Sequence, residues 1–495
     1  MDDNLGPLMT TLASGFPTQA SRTLEPSVQI KQYYLSCLAH ASYLVVDEKS
    51  KVAAVIDPQR DVEQYLETAK GFGAEIKYVI LTHFHADFLS GHLELRKRVG
   101  AQIVMGQNAQ PEYKVLSMKD GQRISLGDVD LEFLETPGHT PESVSIVAYD
   151  NAVDKGTPHA VFTGDTLFIG DVGRPDLFGS IGVTAQDLAG NLFDSLHNKL
   201  MALPDETILY PGHGAGSLCG KNLSSATSCT IGNQRSENYA LQIKSKEQFV
   251  ADVTSEQPMA PAYFLHDAIL NRKEHPTLDE TLGSSLNPLS DEDLLRLQKA
   301  GALVLDVRDA QVFSENHLLG SLNVGLDGKF ATWAGTHVSP HVKVVLIAEL
   351  GEEKEAALRL GRIGLDNVVG YLEGGIETMT HRTELFSSFV RYDAKQLAAA
   401  LKTGTPPVVL DVRAPGEFNN GHVAGAINMP LQTLDKRMAS IPAGRPLVLI
   451  CRTGYRSVVA CSLMAQYGIT GYTDVLGGMH AWVDNGFDTV TPQNA

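Results

Sequence analysis

Short alternating or wholly apolar runs begin at Val28 and punctuate the first half of the chain. Tyr33–Leu35, Ser42–Val46 and Val52–Ile56 read as strands, the last two joined by the turn-like Asp47-Glu48-Lys49-Ser50. Helical spacing over Val62–Phe72 follows, then strand-like Tyr78–Leu81 and a cluster of histidines. The alternation continues to about residue 265. Strand runs preceding helices, twice over, predict a layered α/β architecture with mixed sheets. Residues 266–288 show little periodicity and carry Asn271-Arg272-Lys273-Glu274-His275-Pro276 and Gly283-Ser284-Ser285, which predicts a linker.

Beyond the linker the chain repeats itself. Leu303-Val-Leu-Asp306-Val-Arg308 matches Val408-Val-Leu-Asp411-Val-Arg413, and Phe313, His317, Gly320 and Asn323 match Phe418, His422, Gly425 and Asn428. Val345-Leu346-Ile347 and Gly374-Gly375 then match Val448-Leu449-Ile450 and Gly477-Gly478. Two homologous modules, over 289–386 and 387–495, each have the size of a single domain.

At 495 residues the chain is long enough for several cores. Its formal charge of −18 disfavours a nucleic-acid partner, and no apolar run approaches the roughly 18 residues of a membrane span. Cys37, Cys219, Cys229, Cys451 and Cys461 are few and scattered, which predicts free thiols in a reducing compartment. Residues 1–27 lack the features of a signal or transit peptide and read as a flexible leader on a cytoplasmic protein.

The repeat diverges where chemistry would sit. After Val448-Leu449-Ile450 the second module has Cys451-Arg452-Thr453-Gly454-Tyr455-Arg456-Ser457, and then helix-like Val458–Tyr467. A cysteine between a strand end and a helix N-terminus, with two arginines near, is placed to form a stabilised thiolate. Gly454 permits the tight backbone that an anion nest needs. This loop, with Asp411-Val412-Arg413 and Gly477-Gly478-Met479-His480-Ala481-Trp482, resembles the rhodanese family. The resemblance implies that Cys451 carries sulfane sulfur as a persulfide, with Arg452, Thr453, Gly454, Tyr455 and Arg456 as anion cradle; a buried structural cysteine is the bland alternative. The first module has Ala348-Glu349-Leu350-Gly351-Glu352-Glu353 at the matching loop, so the nucleophile is lost and acid replaces Arg456. It is expected to be inactive.

In the first half, Thr82-His83-Phe84-His85-Ala86-Asp87-Phe88 directly follows a strand. Thr136-Pro137-Gly138-His139-Thr140, Thr163-Gly164-Asp165-Thr166 and Tyr210-Pro211-Gly212-His213-Gly214 add further ligand types after strands or turns. Several such loops meeting on one rim are how α/β layers build metal sites. His40, His92, His159 and His197, each alone in its stretch, read as ordinary surface residues.

The histidine set resembles the metallo-β-lactamase superfamily over residues 28–265, which implies an αββα sandwich ahead of two α/β domains with central parallel sheets. Dinuclear members carry a further histidine where Phe88 stands, so the resemblance favours one metal. The run Gly170-Asp171-Val172-Gly173-Arg174-Pro175-Asp176 is similar to a segment of the persulfide dioxygenase branch. That branch binds one Fe(II) through two histidines and one aspartate, which carry over to His83, His139 and Asp165. His85, Asp87 and His213 are then expected around the ligands. Arg174 is either a grip for the carboxylate of a thiol carrier or an internal ion pair, and Tyr210 is similarly open. Cys219 reads as a buried cysteine or a thiol near the entrance.

The implied function is oxidation of a low-molecular-weight persulfide, such as glutathione persulfide, by O2 to sulfite. Sulfane-sulfur transfer involving thiosulfate or sulfite at Cys451 would accompany it, in a homo-oligomer. The alternatives are a dizinc thioester hydrolase of the glyoxalase II kind fused to a sulfurtransferase, and a non-enzymatic sulfur carrier.

Overall fold

The computed structural model describes residues 26–177, 182–255, 257 and 259–492. The leader expected over residues 1–27 lies, up to residue 25, outside the described residues.

Two mixed sheets of six strands face one another in the first half. The first runs, in spatial order, β1 (Val28–Leu35), β2 (His40–Asp47), β3 (Val52–Ile56), β4 (Glu75–Ile80), β5 (Gln102–Gly106) and β6 (Leu116–Met118). In the second, β7 (Arg123–Ser125), β8 (Val129–Glu135), β9 (Val144–Asp150), β10 (Pro158–Gly164), β11 (Ile208–Pro211) and β12 (Cys229–Thr230) also lie in chain order. Both faces of each sheet are covered. Tyr43, Val45, Ile56 and Val104 meet Leu131, Phe133, Ile146 and Phe162 between the sheets. The alternate residues Leu44, Val46 and Val55 pack under the helix Glu63–Phe72, which buries Tyr65 and Ala69. Val147, Val161 and Leu209 pack under the helix Ala185–Asn198. The result is the four-layer αββα order, and two-sided burial explains why β2 is buried at all eight positions.

The sequence pattern predicts a linker over 266–288, but much of that stretch is helical. Helices Tyr263–Leu270 and Leu278–Ser285 fill it. The second is capped at its start, where the Thr277 amide donates to Glu280 Oε2 at 2.8 Å. Their apolar residues serve neighbouring domains at once, which hides the amphipathic period: Tyr263 and Phe264 join one continuous core with Phe88, Phe168, Ala334 and Leu346.

Each repeat module holds a five-stranded parallel sheet with the same strand order. In the first, Pro288–Leu289, Val368–Leu372, Val344–Ile347, Leu303–Asp306 and Leu322–Asn323 lie side by side. In the second, Arg391–Tyr392, Tyr472–Val475, Leu447–Ile450, Val408–Asp411 and Ile427–Asn428 do so. The repeated Asp-Val-Arg has one structural use. A buried aspartate ends the strand and the arginine folds back on it, at 2.6 Å in both Arg308–Asp306 and Arg413–Asp411.

The first module is locked to the sandwich. Arg60 is almost wholly buried and donates to Asp366 at 2.6 and 2.8 Å, to Glu94 at 3.1 Å, and to the carbonyls of Gly361 and Pro276 at 2.7 Å each. Arg362 reaches back to Asp61 at 2.7 and 2.9 Å.

Candidate metal centre and sulfur-transfer loop

Four loops converge beyond the carboxyl ends of β4, β8, β10 and β11. They carry His83, His139, Asp165 and His213. His83, His139 and Asp165 are buried, with ligand atoms all within 4.8 Å of one another. His139 Nε2 lies 3.5 Å and His83 Nε2 3.9 Å from Asp165 Oδ2.

The outward nitrogens explain why the Nε2 atoms face inward. His139 Nδ1 is 2.9 Å from the Arg174 carbonyl. His83 Nδ1 is 2.9 Å from Thr82 Oγ1, and that hydroxyl donates to Asp57 Oδ2 at 2.8 Å. A carboxylate–hydroxyl–imidazole relay thus fixes the proton on Nδ1 and leaves the Nε2 lone pair free. Burial pushes the pKa of His83 well down, the imidazoles of His85, His139, His213 and His40 push it further, and burial also lowers His139. Both rings are therefore neutral at pH 7. Gly212 is required here, since a Cβ on it would stand 2.5 Å from Asp165 Oδ1.

Both carboxylate oxygens of Asp165 and the Nε2 of His213 are buried without a hydrogen-bond partner among the described residues. Leaving such groups unpaired is costly, and a cation held by His83, His139 and Asp165 would satisfy the carboxylate. The donor set could hold a metal ion, and two imidazoles with one carboxylate suit a divalent transition metal.

The remaining expected residues fall around this set. His85 Nε2 lies 3.0 Å from Asp57 Oδ1. Burial opposes charging His85, but Asp57, Asp165 and Asp87 outweigh it and raise its pKa. His213 Nδ1 is 3.1 Å from the Ala39 carbonyl, and its Nε2 is 3.4 Å from Asp87 and 3.5 Å from Asp165. Cys219 joins Asp87 and His213 in a second buried group of ligand types. Burial, then Asp87 and Asp165, push its thiol pKa well up. Phe88 packs, tilted, against His40 and His85, at ring distances of 4.0 and 4.4 Å.

The structure bears on two readings left open, and neither residue offers itself to a substrate. Arg174 is an internal ion pair: its fork is bidentate on Asp176 at 2.7 and 2.9 Å, and the side chain is buried, so it has no free face for a carrier carboxylate. It serves the centre through its carbonyl. Tyr210 stacks on Phe162 at the intersheet core. Of the solitary histidines, His40 and His92 are not surface residues but fully buried, and His40 lies 5.5 Å from the His213 ring. His159 and His197 are part-buried, the latter stacked on Phe193. Asp57 and Asn271 escaped the sequence, as isolated polar residues far from the histidine motifs.

The second centre lies at the end of the strand Leu447–Ile450. Cys451 is buried and its Sγ accepts from the Gly454 amide at 3.1 Å, just before the helix Tyr455–Gln466. Gly454 has φ +92°, in the left-handed region that a side chain rarely adopts. Ser457 Oγ lies 3.6 Å from the sulfur and donates to Asp474 at 3.0 Å, and Asp474 in turn holds Arg391. Arg456 is bidentate on Glu417 at 2.7 and 2.8 Å, while Arg452 and Thr453 are exposed. The Tyr455 hydroxyl donates to the Gly325 carbonyl of the first module at 2.7 Å.

In the first module Ala348 stands at the nucleophile position. The Gly351 amide, which corresponds to that of Gly454, donates to Glu353 at 3.0 Å. A carboxylate of the module itself takes the amide that a thiolate would use.

Comparison with known proteins agrees with this architecture. Residues 35–213 match the family described as the metallo-beta-lactamase superfamily, and residues 290–381 and 393–485 each match the rhodanese-like domain. The chain belongs to the metallo-β-lactamase superfamily and carries two rhodanese-like domains behind that fold. Its relatives there include the mitochondrial persulfide dioxygenase ETHE1 of Bos taurus, 32% identical over 48% of this chain and 81% of the relative. The cytoplasmic hydroxyacylglutathione hydrolase of Arabidopsis thaliana is 30% identical over 51% of this chain and 92% of the relative. A crystal structure of a metallo-beta-lactamase from Staphylococcus aureus is 29% identical with a TM-score of 0.63, covering 70% of this chain and 98% of that one. No helix among the described residues is long and apolar enough to cross a membrane, and all five cysteines are free.

Proposed function

We propose that the chain is a persulfide dioxygenase joined to a sulfurtransferase. At the first centre a low-molecular-weight persulfide is oxidised: R–S–SH, O2 and H2O give R–SH and sulfite with release of two protons. At the second, the Cys451 thiolate takes the outer sulfur of thiosulfate, the S–S bond to sulfite breaks, and sulfite leaves.

His83, His139 and Asp165 would hold a single Fe(II), which supplies the one-electron chemistry that lets O2 react with a sulfur anion. Zinc has no redox change to offer. The chain's own residues do the rest. Thr82 and Asp57 hold the His83 proton on Nδ1, and the Arg174 carbonyl does the same for His139. Phe88 and the buried wall exclude water from one side. Around Cys451, the Gly454 amide and the N-terminus of the following helix stabilise the thiolate, and Arg456 adds positive charge held in place by Glu417.

The observation that carries this reading is Phe88, an apolar ring packed on His40 and His85 where a second metal would want an imidazole. Similarity to a named persulfide dioxygenase supports it. A dizinc thioester hydrolase is the second reading, favoured by the similarity to hydroxyacylglutathione hydrolases and by the group Asp87, His213 and Cys219. The free thiols favour a reducing compartment, and we place the protein in the cytoplasm. The test is metal analysis of anaerobically purified protein with O2 uptake on glutathione persulfide. One iron and uptake support the proposal; two zinc ions, no uptake and thioester cleavage overturn it.

A further inference from the structure

The turn that follows His83 is fastened from outside the sandwich. Asn271 stands just past the helix Tyr263–Leu270, beyond residues 35–213, and is completely buried. Its side-chain amide donates to the carbonyls of His85 and Phe88 at 2.8 Å each, and its carbonyl accepts from the Ser90 amide at 2.9 Å. All three hydrogen-bonding positions that the turn 85–90 directs at it are met by one side chain. The Asn271 backbone is fixed in its turn, since its carbonyl accepts from the Tyr113 hydroxyl at 2.7 Å. Next to it the Arg272 guanidinium sits 4.8 Å over the Phe84 ring. The first repeat module adds one more tie, the Leu89 amide donating to the Arg362 carbonyl at 2.8 Å.

We infer that Asn271 is a positioning residue of the metal centre: it sets the turn that carries His85, Asp87 and Phe88. The role of the helical connector and the first repeat module is then partly to hold this turn. An amide is the one side chain of this size that offers two N–H donors and an acceptor together. Aspartate has the same shape but no donor, and would set a carboxylate against two carbonyl oxygens. The inference rests on reading His83, His139 and Asp165 as the metal ligands.

The experiment uses the full chain, stripped of metal, titrated with Co(II) and followed by its visible spectrum. Asn271→Asp is expected to weaken Co(II) binding by about 3- to 10-fold, less than the roughly 10- to 100-fold of a lost direct partner of a metal ligand because Asn271 acts one step further out, and to change the band shape. Asn271→Ala serves in its place should Asn271→Asp not fold. Leu278→Ala, in the other connector helix, is the control for destabilisation alone: at a comparable loss of Tm its Co(II) affinity and spectrum should match the parent. Parent-like binding by the Asn271 variant, or equal weakening by Leu278→Ala, would overturn the inference. His83→Ala separates the two levels. If it binds Co(II) as the parent does, the ligand assignment itself has failed; if it loses binding while the Asn271 variant keeps it, only the positioning role has.

Discussion

Thr82→Val tests the relay behind His83 with little change of shape. The substitution replaces Oγ1 by a methyl group, removing the 2.9 Å contact to His83 Nδ1 and the 2.8 Å bond to Asp57 Oδ2. Asp57 keeps the Thr82 amide at 2.8 Å, so the loop backbone retains its anchor. Two buried polar atoms lose their partner, each worth about 1–3 kcal/mol when left unsatisfied. Without an acceptor at Nδ1, the His83 proton is free to move to Nε2 and block the lone pair that faces Asp165. Lost outer partners of this kind cost about 10- to 100-fold in metal affinity, or roughly 1.4–2.7 kcal/mol. The assay is a Co(II) titration of metal-free protein beside urea unfolding of the same samples. Both should fall, and Thr82→Ser, which keeps the hydroxyl, should restore the affinity. Unchanged affinity in the valine variant, with stability reduced as foreseen, would refute the relay as the device that sets the His83 tautomer.

Other outcomes are equally direct. Cys451→Ser should abolish transfer from thiosulfate to a thiol while O2 uptake on supplied persulfide persists; surviving transfer would move the nucleophile elsewhere. Ala348→Cys alone should gain no persulfide by mass spectrometry after thiosulfate, because Glu353 holds the matching amide, whereas Ala348→Cys with Glu353→Arg should gain one. Burial works to raise the pKa of Glu417, but its bidentate bond with Arg456 outweighs this and holds it below the usual carboxylate value. Its contribution to stability is therefore full above that value and lost as pH falls through the depressed one. The stability gap between the parent and Glu417→Gln, measured by unfolding from pH 7 to pH 3, should narrow only at the acid end.

The architecture was legible because its signals are local. His-x-His-x-Asp after a strand needs only neighbours, and a repeated Asp-Val-Arg with a missing cysteine in one copy needs only a comparison of the chain with itself. What escaped was set by partners distant in sequence. Asp57 meets Thr82 from 25 residues away, and Asn271 meets His85 from 186. His40 looked like a surface residue because nothing near it announces a cavity. Arg174 stays open between a grip and an ion pair because a guanidinium in sequence shows no direction, and Asp176, two residues on, is its partner. The connector helices were missed although Thr277-x-x-Glu280 is a capping pattern, since their apolar faces answer to neighbouring domains and follow no single stripe.

The burial of Arg60 has a cost in time. Its carboxylate partner Asp366 lies 306 residues downstream, and its neighbour Asp61 waits almost as long for Arg362. At about 5–20 residues per second, the ribosome takes roughly 15–60 s to deliver that partner. For the last part of that interval, the roughly 6–22 s after the helix Lys246–Thr254 has been made, the sandwich presents an apolar rim to the cell and an Arg60 whose one carboxylate partner is Glu94. Chaperone capture should concentrate in this window, and a ribosome stalled between the two residues would leave a nascent chain with an open wound rather than a free-standing domain.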